Sequence, residues 1–195
     1  LEDADGLITL EQLNGNKVWL TAIDLETGKM LWQKPIDLTP FQHIIYLSYN
    51  QNTLVVSGSK NKNGTVWYDL MAYNSLNGNK VWHEERNHGY GTGGDHGEQV
   101  HHPVIMNSII YSEPFAFNLY TGKQIDGFKL NREGHGCGTL SASADKLFYR
   151  AGNPAFCEVP ENNIGYKINN VTRAGCWINI IPAGGLVIIP EGSSG

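Results

Sequence analysis

One eleven-residue phrase constrains this chain more than any other feature, because it is written three times. The first copy is Ala22-Ile-Asp-Leu-Glu-Thr-Gly-Lys-Met-Leu-Trp32, and the second is Ala72-Tyr-Asn-Ser-Leu-Asn-Gly-Asn-Lys-Val-Trp82. In both, Ala precedes Gly by six positions and Gly precedes Trp by four. The third copy, Ala116-Phe-Asn-Leu-Tyr-Thr-Gly-Lys-Gln-Ile-Asp126, keeps the Ala-to-Gly spacing and sets Asp126 where Trp should stand. Each copy reads as a strand, a tight turn whose Gly takes a positive φ, and a second strand. The copies lie 50 and then 44 residues apart. A hairpin recurring at that period predicts an all-β chain, a β-propeller of four-stranded antiparallel blades.

Composition agrees. Only 17% of residues are charged, 23 are glycine, and helix-favouring runs are absent, which suits many short strands joined by turns. At about 45 residues per blade the chain holds about four blades, and propellers usually close with more. The expected blades are residues 1–38, 41–86, 101–130 and 137–170, with the start of a further blade at 175–190. Leu1 is not a natural start, and the chain stops at Ser193-Ser-Gly195, which reads as one propeller domain or a piece of a larger one. Remaining blades of a longer chain, or a protein partner, would then complete it. An open array would expose strand edges and invite oligomerisation. A formal net charge of −5 argues against a nucleic-acid binder. No apolar run reaches the roughly 18 residues that a transmembrane helix needs.

The pattern A-x-[DN]-x-x-x-G-x-x-x-W resembles the quinoprotein-like (PQQ-like) β-propeller repeat, over roughly residues 7–190. In that family the turn Gly and the Trp of one blade dock against the neighbouring blade. The resemblance therefore implies a blade-docking role for Gly28, Trp32, Gly78, Trp82 and Gly122. Gly94-Asp-His-Gly-Glu-Gln, His101-His-Pro, Gly136-Cys-Gly and Gly175-Cys-Trp-Ile-Asn resemble a secreted bacterial branch of unknown function. That implies a periplasmic or extracellular location. The fold carries dehydrogenases, assembly factors and scaffolds alike, so it does not imply an activity.

Blade geometry gathers the chemistry-bearing residues. The loops that enter each innermost strand converge on one face of a propeller, at the mouth of its channel. The second blade enters with His43, and the third through His88, His96, Glu98, His101 and His102. The fourth enters through Arg132, His135 and Cys137, and the fifth through Arg173 and Cys176. Six of the seven histidines and two of the three cysteines thus fall on one face, with His83 the exception.

His96, His101 or His102 with the carboxylate of Glu98 would suit zinc, copper or iron. The alternative is structural: imidazoles in Gly-rich loops satisfy loop carbonyls. Cys137 and Cys176 each follow a Gly at the start of successive inner strands, where they could form a disulfide or serve as small apolar residues. Cys157 is an alternative partner for Cys137.

Two classes of function remain. One is a non-catalytic extracytoplasmic scaffold or binding module that uses the His- and Cys-rich mouth for recognition. The other is a metal-dependent or redox enzyme centred on that mouth, related to the quinoprotein dehydrogenases. Those dehydrogenases carry a vicinal Cys-Cys pair, a calcium held by Glu, Asn and Asp, and a catalytic Asp. The Cys-Cys pair is absent from residues 1–195 and the calcium triad is not assignable to any positions, so PQQ is not the expected cofactor of this stretch. A transition metal stays open.

Overall fold

In the computed structural model, all residues are described except 1, 4–5, 16, 43–44, 92–101, 131, 133–137, 160–164, 176–179, 191 and 193–195, with backbone alone at 2–3, 6–7, 9, 11–14 and 89–91. The described residues form strands and turns, every strand pair is antiparallel, and no helix is long and apolar enough to cross a membrane. The chain divides into two compact units, residues 1–92 with 119–122 and residues 93–118 with 123–195.

The first unit holds two four-stranded sheets. The first runs in chain order through β1 (Glu2–Asp3), β2 (Gly6–Asn14), β3 (Lys17–Ile23) and β4 (Met30–Asp37). The second runs through β5 (Ile45–Asn50), β6 (Thr53–Lys62), β7 (Thr65–Asn74) and β8 (Lys80–Gly91). Sequential order is what short hairpin connections produce, since each strand pairs with the next. Asn63 and Gly64, at φ 55° and 73°, supply the two positive dihedrals of a tight turn between β6 and β7. Ile8, Leu20, Ala22, Ile36 and Leu38 of the first sheet pack with Leu54, Val56, Met71 and Tyr73 of the second. The second sheet is buried on its other face too, at Val55, Tyr68, Leu70 and Ala72. Double burial explains why 54–56 and 70–73 read as continuous apolar runs instead of alternating.

The outermost strand of the second sheet reaches Gly91, whereas the sequence reads as a loop from Asn87 onward. Asn87 pairs with Trp67 and Gly91 with Thr65, so the long β7 holds the ladder past the polar stretch. His88 consequently lies inside a strand.

In the second unit, β9 (Val104–Met106), β10 (Ile109–Ser112) and β11 (Phe115–Asn118) form a three-stranded sheet. Residues 123–130, the end of the third expected blade, form no strand but one bridge, Phe117 to Gln124, and three hydrogen bonds to this sheet's edge, Asn118 N to Lys123 O, Ile125 N to Ala116 O and Leu130 N to Pro114 O, each at 2.8 Å. Exposed Asp126 and the positive φ of Gly127 (81°) interrupt the strand where the other copies carry Trp. β12 (Ser141–Ala142), β13 (Lys146–Ala151), β14 (Asn153–Glu158) and β15 (Tyr166–Lys167) form another four-stranded sheet. β16 (Ile181–Ala183) and β17 (Leu186–Ile188) form a hairpin. Met106, Tyr111, Phe128 and Leu130 pack with Leu140, Leu147, Tyr149 and Cys157 in the core of this unit.

Candidate functional site

The repeated phrase builds one local structure in each copy. Asp24 N donates to Lys29 O at 2.8 Å, and Gly28 N donates to Asp24 O at 2.9 Å. The same bonds recur as Asn74 N to Asn79 O and Gly78 N to Asn74 O, at 2.9 and 2.8 Å, and the first recurs as Asn118 N to Lys123 O at 2.8 Å. The Asx side chain at the third position folds back on the turn. Asp24 Oδ1 accepts from Thr27 N at 2.7 Å, and Asn74 Oδ1 accepts from Leu76 N at 2.9 Å. The Thr27 hydroxyl, with its amide, holds the Asp24 carboxyl below the ordinary carboxylate range.

Gly28, Gly78 and Gly122 all sit near φ 70°, at 67°, 70° and 71°. Ala22 stands directly across the ladder from Trp32, and Ala72 from Trp82. Such partners point to one face, so the methyl group leaves room for the indole.

Each indole then reaches the next copy. Trp32 Nε1 donates to Ser75 O at 2.7 Å, and Trp82 Nε1 donates to Leu119 O at 2.9 Å. Ser75 and Leu119 are both the fourth residue of their copies. The rings lie on the turn glycines. A Cβ at Gly78 would stand 2.7 Å from Trp32 Cε3 and from Lys34 Cγ. A Cβ at Gly122 would stand 2.7 Å from Trp82 Cε3 and 3.0 Å from Glu84 Cγ. Both distances fall well inside the roughly 3.5–4.0 Å of carbon contact, so glycine is required for room as well as for φ. The fold is that of a partial β-propeller, in which three of the described antiparallel sheets have four strands. Within the phrase, Trp32 meets Gly78 and Trp82 meets Gly122 of the following copy.

A polar cluster occupies one end of the second sheet, on the face that elsewhere packs on the first. Period-two spacing puts Lys60 and Lys62 of β6, Trp67 and Asp69 of β7, and His83 and Glu85 of β8 on that face. Asp69 is 0% exposed and meets Lys60 Nζ at 2.8 Å through Oδ2 and His83 Nε2 at 2.6 Å through Oδ1. Glu85 Oε1 lies 2.5 Å from Lys62 Nζ and 3.4 Å from Lys60 Nζ. Lys62 Nζ also lies 4.4 Å from the centre of the Trp67 ring. Desolvation pulls the Lys60 pKa down, yet Asp69 and Glu85 together hold it above its ordinary value. Hydrogen bonding to Lys62 lowers Glu85. Two lysines and two carboxylates neutralise one another, a structural ion-pair network. His83, the histidine that blade geometry sets apart, is thus held by a buried carboxylate. A lone Asp inside the apolar run Trp67-Tyr-Asp-Leu-Met was the signal for a buried carboxylate needing partners.

A second buried pair lies in the second unit. Arg132 Nη2 donates to Glu113 Oε2, Arg132 Nη1 donates to Gly138 O at 3.0 Å, and the guanidinium lies 5.4 Å from the centre of the Tyr149 ring. Cys157 is a free, buried thiol in the adjoining core, so its alternative pairing with Cys137 is not formed. Burial pushes its pKa up to about 11, which makes it a poor nucleophile.

Of the residues singled out in the entry loops, His43, His96, Glu98, His101, His135, Cys137 and Cys176 lie outside the described residues. His102 is half-buried just before β9, and Arg173 is exposed. His88 is buried on β8, its ring 5.1 Å from that of Tyr68, on the opposite face from His83. Among the described residues, no three His, Cys, Asp or Glu side chains converge as a metal-binding group.

No family model matches the chain, and no curated protein matches it. The crystal structure of BamB from Moraxella catarrhalis is similar to 88% of this chain and 53% of that one, with 15% identity and a TM-score of 0.46. The chain spans about half the length of that protein.

Proposed function

We propose that this chain is a non-catalytic, extracytoplasmic propeller module of the quinoprotein-like kind that binds other polypeptides. One observation carries the reading. The large apolar side chains left exposed in the first unit, among the described residues, are Leu25, Met30, Leu31, Leu76, Val81 and Tyr120, and all of them fall inside the repeated phrase. Leu31 and Val81 are the same position of successive copies, as are Leu76 and Tyr120. Recurring exposed apolar groups on a rigid hairpin are what a protein contact uses. Among the described residues, the two buried carboxylates Asp69 and Glu113 are engaged in ion pairs, Asp69 with Lys60 and His83 and Glu113 with Arg132. The entry loops bearing His96, Glu98, His101 and His102 would add a second recognition face, and a Cys137–Cys176 bridge would suit the oxidising compartment that the resemblance implies.

Affinity capture from an envelope extract of the source cells tests this. Specific proteins should be retained and then lost with Leu31→Lys plus Val81→Lys, while the melting temperature stays put. An unchanged retained set would overturn the reading. So would near-stoichiometric copper, zinc or iron that His96→Ala with His102→Ala removes, which would favour the metal-dependent enzyme.

A further inference from the structure

We infer that Asn63, at the tip of the β6–β7 hairpin, is a site of spontaneous deamidation, and that the fold spares Asn77 although both precede a glycine. The reactants beside the Asn63 carboxamide are the Gly64 backbone nitrogen and water. The nitrogen attacks Asn63 Cγ. The N–Cγ bond forms, the Cγ–Nδ2 bond breaks, and ammonia leaves with the Gly64 amide proton. A five-membered succinimide results. Water then adds to one of its two carbonyls and cleaves that carbonyl's bond to nitrogen, which leaves aspartate or isoaspartate at this position.

Three features favour the reaction at Asn63. Glycine puts no side chain in the way of its own nitrogen. Asn63 and Gly64 are exposed, and among the described residues no hydrogen bond holds the Asn63 carboxamide or the Gly64 N–H. No described atom lies within 4 Å of where a Gly64 Cβ would stand, so the turn has room to move. The third feature is the backbone itself. Ring closure requires the Asn63–Gly64 peptide to swing its nitrogen toward the Asn63 side chain. Asn63 and Gly64 sit at φ 55° and 73°, the turn with two positive dihedrals. Swinging that one peptide gives the other two-residue hairpin turn, which keeps the positive φ at the first place and reverses the second. Glycine accepts either sign, so Lys62 stays paired with Thr65 through the swing.

Asn77-Gly78 is the same dipeptide under constraint. Gly78 N donates to Asn74 O at 2.8 Å, and Asn77 Oδ1 accepts from Asn79 N at 2.9 Å. Gly78 is buried, and Trp32 Cε3 lies 2.7 Å from where its Cβ would stand. Swinging this peptide breaks the turn hydrogen bond and meets the indole. Asn107-Ser108 repeats the two positive dihedrals, at 49° and 63°, but Asn107 Nδ2 donates to Ala144 O at 2.9 Å and the serine side chain hinders its own nitrogen. The side chain of Asn14, which also precedes a glycine, lies outside the described residues.

Conversion changes the charged end of the second sheet. Isoaspartate routes the chain through its side-chain carbon, so the turn gains a backbone atom. A new carboxylate then follows Lys62 directly in sequence. Lys62 Nζ is held 2.5 Å from Glu85 Oε1 and 4.4 Å from the centre of the Trp67 ring, and the added charge competes for it.

Ageing the full chain at pH 8 and 37 °C tests the assignment, with pepsin digestion at low pH and fragment masses to locate each conversion. Asn63 should convert at least tenfold faster than Asn77, with isoaspartate as the major product. In urea the two rates should come within about threefold, because both glycine nitrogens are then free. Asn63→Gln should remove the reaction, and Gly64→Asn should slow it at least tenfold. Both variants keep the turn, since Gln51 and Asn52 hold the same two places at φ 47° and 58°, and thermal melts confirm that they fold. Equal rates at Asn63 and Asn77 in the folded chain, an intact Asn63 while the urea sample converts, or aspartate without isoaspartate would each overturn the inference. So would Gly64→Asn converting as fast as the parent, or a tenfold ratio that survives in urea, which would assign the difference to local sequence instead of the fold.

Discussion

The paired substitutions Gly78→Ala and Gly28→Ala isolate the docking joint from the turn that carries it. The two glycines share a backbone conformation, φ 70° and 67°, so each variant carries the same left-handed strain, about 1–2 kcal/mol, partly offset by a stiffer unfolded chain. Only Gly78 has a neighbour where the methyl must go, with Trp32 Cε3, Trp32 Cζ3 and Lys34 Cγ each 2.7 Å away. Relieving that overlap means moving the indole about 1 Å, and its N–H is held on Ser75 O at 2.7 Å. Overpacking of this kind costs about 1–3 kcal/mol, and a strained or broken hydrogen bond adds about 1 kcal/mol. Gly78→Ala should therefore be about 2–3 kcal/mol more destabilising than Gly28→Ala. In a unit of this size, that corresponds to roughly 10–20 °C in melting temperature. Urea unfolding followed by tryptophan fluorescence suits the measurement, because Trp19, Trp32, Trp67 and Trp82, four of the five tryptophans, lie in the first unit. Adding Trp32→Ala to Gly78→Ala removes the clashing ring, so the double variant should lose less than the sum of the single losses. Equal costs for the two glycines, within about 0.5 kcal/mol, together with additive behaviour, would refute the joint as described.

Two further outcomes follow from the buried polar groups. Asp69→Asn withdraws the anion that Lys60 and His83 share, and because both partners keep some access to water the loss should be about 2–4 kcal/mol, read as a lowered urea midpoint. Cys157 should resist thiol reagents at pH 8 in the folded chain. Its pKa is raised from 9.0 to about 11, so its stabilising share is whole below pH 9 and is lost as pH rises to about 11, on the order of 2–3 kcal/mol. Burial pushes Tyr73 and Tyr111 the same way, to about 12, so the midpoint should fall above pH 9 and fall less steeply in Cys157→Ala. Fast labelling of native Cys157 at pH 8 would contradict its burial.

Much of the strand pattern is legible because hairpin signals are local. Thr65–Asn74 and Lys146–Ala151 are bounded by turn residues and alternate or run apolar as buried strands do, and both form as strands over those residues. Where pairing decides, local reading falls short. Residues 87–91 are polar and glycine-containing and look like a loop, but their partner strand is long enough to keep them in register. Residues 123–130 look like the outer strand of a third copy, but Asp126 brings no ring to dock, and one bridge with scattered backbone hydrogen bonds is what forms. The candidate site divides the same way. Histidines in entry loops stand out in a sequence because they are chemically distinctive, whereas the Asp69–His83–Lys60 contact joins three strands, and the lone Asp in its apolar run signals a buried carboxylate without naming its partners.

The sequence by itself determined the all-β class, the hairpin with its Asx and Gly turn, and the Ala that faces each Trp. These depend on φ preferences, side-chain period and spacing within a few dozen residues. Tertiary structure alone decided which turn each Trp seats upon, which glycine is buried and which is open, and which carboxylate is covered by Lys60 and His83. The three turn glycines are alike in sequence and in backbone, and only packing between hairpins some forty residues apart makes Gly78 and Gly122 seats for a ring while Gly28 remains exposed. Burial is a property of neighbours that the chain brings together by folding, and no local pattern encodes which neighbour arrives.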